Sequence, residues 1–182
     1  MNFLDKQFGR LGNRMFQSAF LYAYSKDHNI DYYFQDEKWF KKYEQDIRRL
    51  FGEGIAYTDK VAIHIRRGDY INNPFYVDLW KDGYYGRAKR LFPNEKFLVF
   101  SDDIEYCKSQ LGRDIYDFSE GHIEEEDLKL MASCKHQIIA NSSFSWWAAY
   151  LNPNPNKKVI YPKQWHPDGI ERTKCPATWQ GL

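Results

Sequence analysis

Short apolar runs that each end on a polar cluster constrain this chain more than any other feature. Val61–Ile65 (VAIHI) runs into Arg66-Arg67-Gly68-Asp69, Lys96–Phe100 (KFLVF) into Ser101-Asp102-Asp103, and Gln137–Ala140 (QIIA) into Asn141-Ser142-Ser143. Runs this short, bounded by polar groups, fit strands buried on both faces. Asp114–Ser119 and Lys157–Pro162 add two more strands. Helical stretches lie between them: around Tyr84–Leu91, stopped by Pro93; from about Asp103 to Leu111; from the acidic start at Glu124–Asp127 into LKLMASC; and over Ser145–Leu151, before an NPNPN turn. This alternation predicts an α/β fold with a parallel sheet and right-handed crossovers. The carboxyl ends of such strands share one edge, where open α/β sheets hold their ligands. Three clusters distant in sequence should therefore converge.

The first 60 residues carry less chemistry. A Gly-containing loop, Gly9 to Asn13, precedes a run of helix formers, in which Met15, Phe16, Ala19, Phe20 and Ala23 mark a half-buried helix with Gly12-Asn13 as its N-cap. Residues 36–51 read as one charged amphipathic helix, with Trp39, Tyr43, Ile47 and Leu50 on one face and Gly52 and Gly54 ending it. The chain thus divides into residues 1–60 and residues 61–182.

Charge excludes one class of partner. With 26 basic and 25 acidic residues the net charge is +1, whereas polyanion binders carry a basic excess. Nucleic acid is not expected, and an anion site must be local. The three widely spaced cysteines, Cys107, Cys134 and Cys175, form no CxxC pair, which suits a reducing compartment and gives neither a disulfide scaffold nor a zinc site. No apolar run approaches the roughly 20 residues of a membrane span, and MNFLDKQFGR is too polar for a secretory signal. Cytoplasmic residence is expected, with peripheral membrane association and oligomeric state left open.

Adjacent arginines at a strand end offer planar two-point donors for phosphate oxygens, each charge-assisted contact contributing about 1.5–3 kcal/mol. Asn141-Ser142-Ser143 ahead of a helix supply hydroxyls and free N–H groups for a second phosphate face. Asp102 and Asp103 can accept from a guanine edge or from ribose hydroxyls. Together these suit a nucleoside diphosphate without a metal. Plainer roles compete: Arg66 and Arg67 as surface ion pairs, Ser-Asp-Asp and the serines as helix caps, and Trp146-Trp147 as core. Arg67-Gly68-Asp69 also spells an adhesion tripeptide, but the end of a buried strand is a poor place for a protruding loop. There is no GxGxxG after the first strand and no GxxxxGK[ST], so the usual phosphate loops are missing.

At these residues the chain resembles the bacterial α-1,2-fucosyltransferases of glycosyltransferase family 11. GRLGNRMFQSAF is similar to that family's GGLGNQMFQYA opening, with Arg10 in place of glycine, Arg14 of glutamine and Ser18 of tyrosine. VAIHIRRGDY matches its HxRRGDY motif, and FLVFSDDIEYCK, DLKLMASCKHQIIANSSFSWWAAYLN and VIYPKQWH resemble its later motifs in order. The resemblance implies a GT-B-like arrangement of two Rossmann-type lobes, the donor lobe at residues 61–182. The N-terminal, acceptor-side lobe at residues 1–60 is reduced, with about 50 residues between Asn13 and His64.

The resemblance further implies an inverting transfer of L-fucose from GDP-fucose to a glycan hydroxyl, α-1,2 to galactose, with no required metal. His64, Arg66 and Arg67 would hold guanosine and diphosphate, Asp102 the base or ribose, and Asn141, Ser142, Ser143 and Ser145 the phosphate end. The Gly12-Asn13 loop would approach the donor from the other lobe. Of the arginines, Arg67 is expected to stabilise the leaving β-phosphate, with Arg66 second. Asp69 is the first candidate for the base, against an equal role as a salt-bridge partner of Arg66 or Arg67, and Asp78 is the weaker one. Two alternatives keep the donor site: a GDP-fucose-binding module that has lost catalysis, and a transferase using another GDP-sugar.

Overall fold

The computed structural model describes residues 10–27, 36–112 and 115–182, without the side chains of residues 21, 22 and 24–26. The stretch before Arg10, on which the expectation about a leader rests, lies outside those residues. Six strands form one sheet: β1 (Thr58–Ile65), β2 (Phe97–Ser101), β3 (Tyr116–Phe118), β4 (Cys134–Ile138), β5 (Val159–Tyr161) and β6 (Gln180–Gly181). Their order is β3-β2-β1-β4-β5-β6, and every pairing is parallel. This is the doubly wound Rossmann order, whose direction reverses between β1 and β4. It is an α/β, Rossmann-like sheet of the kind a GT-B donor lobe uses.

The helices are α1 (Leu11–Asp27), α2 (Glu44–Gly52), α3 (Tyr84–Lys89), α4 (Ile104–Gln110), α5 (Glu124–Ser133) and α6 (Ser143–Leu151). Successive strand residues face opposite sides, and the core divides accordingly. Ala62, Leu98, Phe100, Ile139 and Val159 face α1, α2, α5 and α6. Val61, Ile63, Phe97, Val99, Ile138 and Ile160 pack with Tyr84 and Ala88 of α3 and Cys107 of α4. Helices thus cover both faces, as right-handed crossovers on either side of β1 require.

The segment before β1 departs from expectation. Residues 36–51 are not one helix: two three-residue 3-10 turns, Glu37–Trp39 and Lys41–Tyr43, precede α2. Phe40, between the turns, is buried, while Leu50 is 59% exposed. Asp36 caps the first turn by accepting from Lys38 N at 3.0 Å. The break turns Phe40 inward onto Trp147, their rings stacked 5.3 Å apart. Gly12-Asn13 is not an N-cap either, because α1 already begins at Leu11.

Trp147 is the pivot of this aromatic core. It is fully buried among Phe16, Phe40, Phe51, Trp146 and Tyr150, with ring centroids 4.9–5.7 Å away. Its indole N–H is buried without a partner among the described residues. Trp147→Ala is expected to cost about 3–5 kcal/mol in a urea titration. Trp147→Phe should cost much less, because it removes an unsatisfied donor while keeping a ring against Phe40. Equal losses would show that the indole N–H carries no penalty.

Candidate active site

Sheet register builds the site. Ile65 pairs with Ser101, so one step further Arg66 lies beside Asp102, and Arg66 Nη1 meets Asp102 Oδ2 at 2.7 Å. On the other side β1 pairs with β4 through Ile63 and Ile138, which brings the Asn141–Ser143 turn and the start of α6 to the same edge. The crevice between them is a cavity of about 390 Å³, within the usual range for a small-molecule site. Its lining includes Gly12, Asn13, His64, Arg66, Asp69, Asp102, Ser142 and Ser143. The expected convergence is present: Arg66, Asp102 and Ser143 share one cavity.

Not every expected residue reaches it. Arg67 is absent from the lining. Its guanidinium lies 3.2 Å above the Tyr106 ring and donates through Nε to Asp103 Oδ2 at 3.0 Å. Both residues follow the end of β1, where the backbone leaves the extended form at Arg67 (φ −129°, ψ −77°), and the pair that looks like a clamp is split between cavity and loop anchor. Asn141 is buried and donates from Nδ2 to Val77 O and Trp165 O, both at 3.1 Å. Ser145 is fully buried, accepting from Ala140 N and donating to Ser142 O, both at 3.2 Å. These two side chains fix the turn and are not on the lining. Asp78 caps a turn by accepting from Trp80 N and Lys81 N, also away from the cavity.

Within the cavity, Arg66 is held on two sides by Asp69 and Asp102, with its side chain 10% exposed. Asp69 therefore takes the salt-bridge role weighed for it. Asp102 also accepts the backbone N–H of Arg67 at 2.9 Å, and an added Cβ on Gly68 would collide with its carboxylate. His64 is buried, with an Nδ1 that has no partner among the described residues. Burial, reinforced by the positive charges of Arg66 and Arg10, pushes its pKa down to about 3. The imidazole is thus a neutral hydrogen-bonding group, not a phosphate cation. At the floor of the cavity Ser142 precedes α6 and makes no side-chain cap bond, while Gly12 of α1 packs against the backbone of Ser143 and Phe144; the positive end of the helix dipole lies at the cavity.

The sequence reading missed the far wall. Arg10, Tyr70, Tyr76, His122, Glu124, Asp127 and Phe144 also line the cavity. Arg10 Nη2 pairs with Glu124 Oε1 at 2.7 Å. Asp127 accepts from Ser119 Oγ at 2.6 Å, and His122 Nδ1 lies 3.0 Å from the same hydroxyl. Tyr70 stacks on Tyr76, centroids 3.6 Å apart, and donates to Asn141 O at 3.1 Å. The available signal was topological: the EEED run of α5 follows β3 on the ligand edge of the sheet.

The family model "Glycosyl transferase family 11" matches residues 4–180. The chain belongs to glycosyl transferase family 11. Among curated members it is 34% identical to an alpha-1,2-colitosyltransferase of Escherichia coli, over 81% of this chain and 60% of that one. It is 38% identical to the O-antigen biosynthesis glycosyltransferase WbnK of Escherichia coli, over 69% of this chain and 45% of that one. It is 30% identical to the galactoside alpha-(1,2)-fucosyltransferase 2 of Mus musculus, over 58% of this chain and 34% of that one. The chain therefore spans about half the length of the first curated family 11 relatives it matches. No solved structure matches it. Among the described residues of this family 11 chain, no group of three or more His, Cys, Asp or Glu is placed to hold a metal ion. No described helix is long and apolar enough to cross a membrane.

Proposed function

We propose that the cavity binds GDP-fucose and that the protein transfers L-fucose to a glycan hydroxyl, α-1,2 to galactose, with residues 61–182 as donor lobe and residues 1–60 on the acceptor side. The observation that carries this reading is the buried, unpartnered Nδ1 of His64 in a cavity floored by an uncapped helix start. A buried polar atom without a partner costs about 1–3 kcal/mol, and a bound nucleotide removes that cost.

Hydrogen-bond chemistry, not net charge, argues for a nucleotide over a bare anion. Four carboxylates (Asp69, Asp102, Glu124, Asp127) face two guanidiniums (Arg10, Arg66) on the lining. Such a site attracts no free phosphate by charge alone. Three carboxylates are engaged with arginine; Asp127 is held by a hydroxyl and lies 3.4 Å from His122. A carboxylate accepts well from the adjacent N1–H and N2–H of guanine, which adenine and uracil do not present together. Asp127 is thus the guanine reader, and Arg66 with the positive end of the α6 dipole and Ser142 takes the phosphates.

In the transfer, the acceptor hydroxyl oxygen forms a bond to the anomeric carbon and releases its proton to water as the bond to the β-phosphate oxygen breaks, and GDP leaves with the electron pair. Charge grows on that phosphate, where a preorganised guanidinium and helix dipole are most effective. No metal is invoked in this step. All four cavity carboxylates already have partners, so stabilisation of the leaving group carries the main burden.

The donor sugar has one competitor, colitose, which lacks one of fucose's hydroxyls and is named in a relative aligned over 81% of the chain. A calorimetric series tests the reading. GDP should bind in EDTA, at least ~100-fold more tightly than UDP, ADP or pyrophosphate, the scale of a site whose polar groups are left unpaired by the wrong ligand. Turnover of GDP-fucose, GDP-colitose and GDP-mannose with and without a galactoside then fixes the sugar. A requirement for Mn²⁺ or Mg²⁺, or equal affinity for ADP, would overturn the proposal. GDP binding without transfer would leave a binding module.

A further inference from the structure

We propose that Arg10 is the second cation of the diphosphate site, held ready by Glu124; the inference rests on the GDP reading of the cavity. Arg10 and Arg66 are the two guanidiniums on its lining. Arg66 comes from the sheet and is fixed by two carboxylates. Arg10 comes from the opposite wall, one residue ahead of α1, at the position where the opening segment replaces glycine.

What brings Arg10 there is the docking of α1 on α6. Gly12 sits so close to the first turn of α6 that an added Cβ would lie 2.5 Å from Ser143 C and 2.7 Å from Ser143 Oγ. That hydroxyl donates to Asn13 Oδ1 at 2.7 Å. The start of α1 is therefore fixed against the first turn of α6, whose Ser142, Ser143 and Phe144 line the cavity, and the residue before α1 is delivered beside it.

The bonding of Arg10 leaves it able to act. Nε and Nη2 both donate to a single oxygen, Glu124 Oε1, at 2.9 and 2.7 Å. One edge of the guanidinium is thereby oriented, and Nη1 keeps its donors without a partner among the described residues. The side chain is 59% exposed, so it can follow a ligand without breaking a core contact. The hydrogen bonds that Arg10 donates to Glu124 hold its pKa above the ordinary arginine value, with Asp102 and Asp69 adding to the effect through their charges. Arg10 thus shares the electrostatic field of the Arg66 cluster. With Arg67 on Tyr106, one guanidinium would otherwise face two phosphates.

The test is calorimetry of guanosine and GDP on the full chain, as wild type and as Arg10→Ala and Arg10→Lys. The structure predicts that Arg10→Ala weakens GDP ~10–100-fold, the scale of one charge-assisted contact, and leaves guanosine unchanged. Arg10→Lys should recover part of the loss, because it restores charge without the oriented edge. A folded Arg10→Ala protein that binds GDP like the wild type overturns the inference alone. An equal loss for guanosine and GDP overturns it too, since Arg10 would then only hold the wall in place. A wild-type protein that binds neither overturns the GDP reading beneath it.

Discussion

Arg66→Ala should lower transfer by at least ~10²-fold, the scale of removing one preorganised charge-stabilising donor, while Arg67→Ala should lower it far less. The two residues are neighbours in sequence, yet only Arg66 lines the cavity. Its guanidinium is nearly buried between Asp69 and Asp102, so it stands in place before the donor arrives. Arg66→Lys should not recover the rate, because an ammonium cannot hold two carboxylates and a phosphate oxygen in one plane. Arg67 instead ties the loop after β1 to α4 through Asp103 and Tyr106. Arg67→Ala should therefore show mainly in melting temperature, with a smaller loss of rate from a looser Gly68–Tyr70 turn. Removing Arg66 leaves Asp102 partly buried and short of its partner, so rates must be normalised to folded protein. A folded Arg67→Ala protein that loses more transfer than Arg66→Ala would reverse the assignment and restore the expectation from sequence.

The sheet was legible because hydrophobic patterning and strand-end chemistry agree there. Five apolar runs predicted β1 to β5, and the parallel order follows from helices between them. β6 was not, since two residues flanked by loop carry no periodic signal, and Gln180 and Gly181 pair with Ile160 and Tyr161 only through the tertiary fold. The helix expected over residues 36–51 failed for a related reason. A charged segment with an aromatic every few residues fits helical spacing on paper, but burying Phe40 against Trp147 is worth more than one continuous helix, and the chain breaks into 3-10 turns to achieve it.

The site was legible as a place more than as a set of side chains. Convergence at the sheet edge needs only topology, whereas facing direction alternates residue by residue. That alternation holds only within strands, and β1 and β4 end at Ile65 and Ile138; the separation of Arg66 from Arg67 and of Ser142 from Asn141 is set by the loop backbone beyond them, as at Arg67 (φ −129°, ψ −77°), and was not available in the sequence. Topology places the α5 acids near the ligand edge, but does not say which of them enter the cavity. Glu124 to Asp127 look like ordinary helix-start acids, and Glu126 does cap in that manner, accepting from Ile123 N at 3.1 Å. Only the fold shows that Glu124 and Asp127 turn into the cavity instead.

Gly12→Ala carries the second large effect, and it sets two helix terms against each other. Within a helix, alanine is favoured over glycine by about 1 kcal/mol, so propensity alone predicts a more stable protein. Gly12 lies inside α1 without a positive φ, and the gain is real if space allows. Space does not allow it: the added methyl meets backbone atoms of Ser143 and Phe144, which cannot rotate away as a flexible side chain would. Overpacking costs about 1–3 kcal/mol, so sterics outweigh propensity. The strain is relieved by moving α1 off α6, which breaks the Ser143–Asn13 hydrogen bond and withdraws Arg10 from the cavity. Stability and GDP affinity should therefore fall together, affinity by ~10-fold or more if Arg10 supplies a charge-assisted contact. Gly86→Ala in α3 is the control, since its added Cβ meets nothing within 4 Å and should keep the propensity gain. Should Gly12→Ala raise the melting temperature as Gly86→Ala does, with GDP affinity intact, then α1 does not need its close approach to α6 to form the donor site.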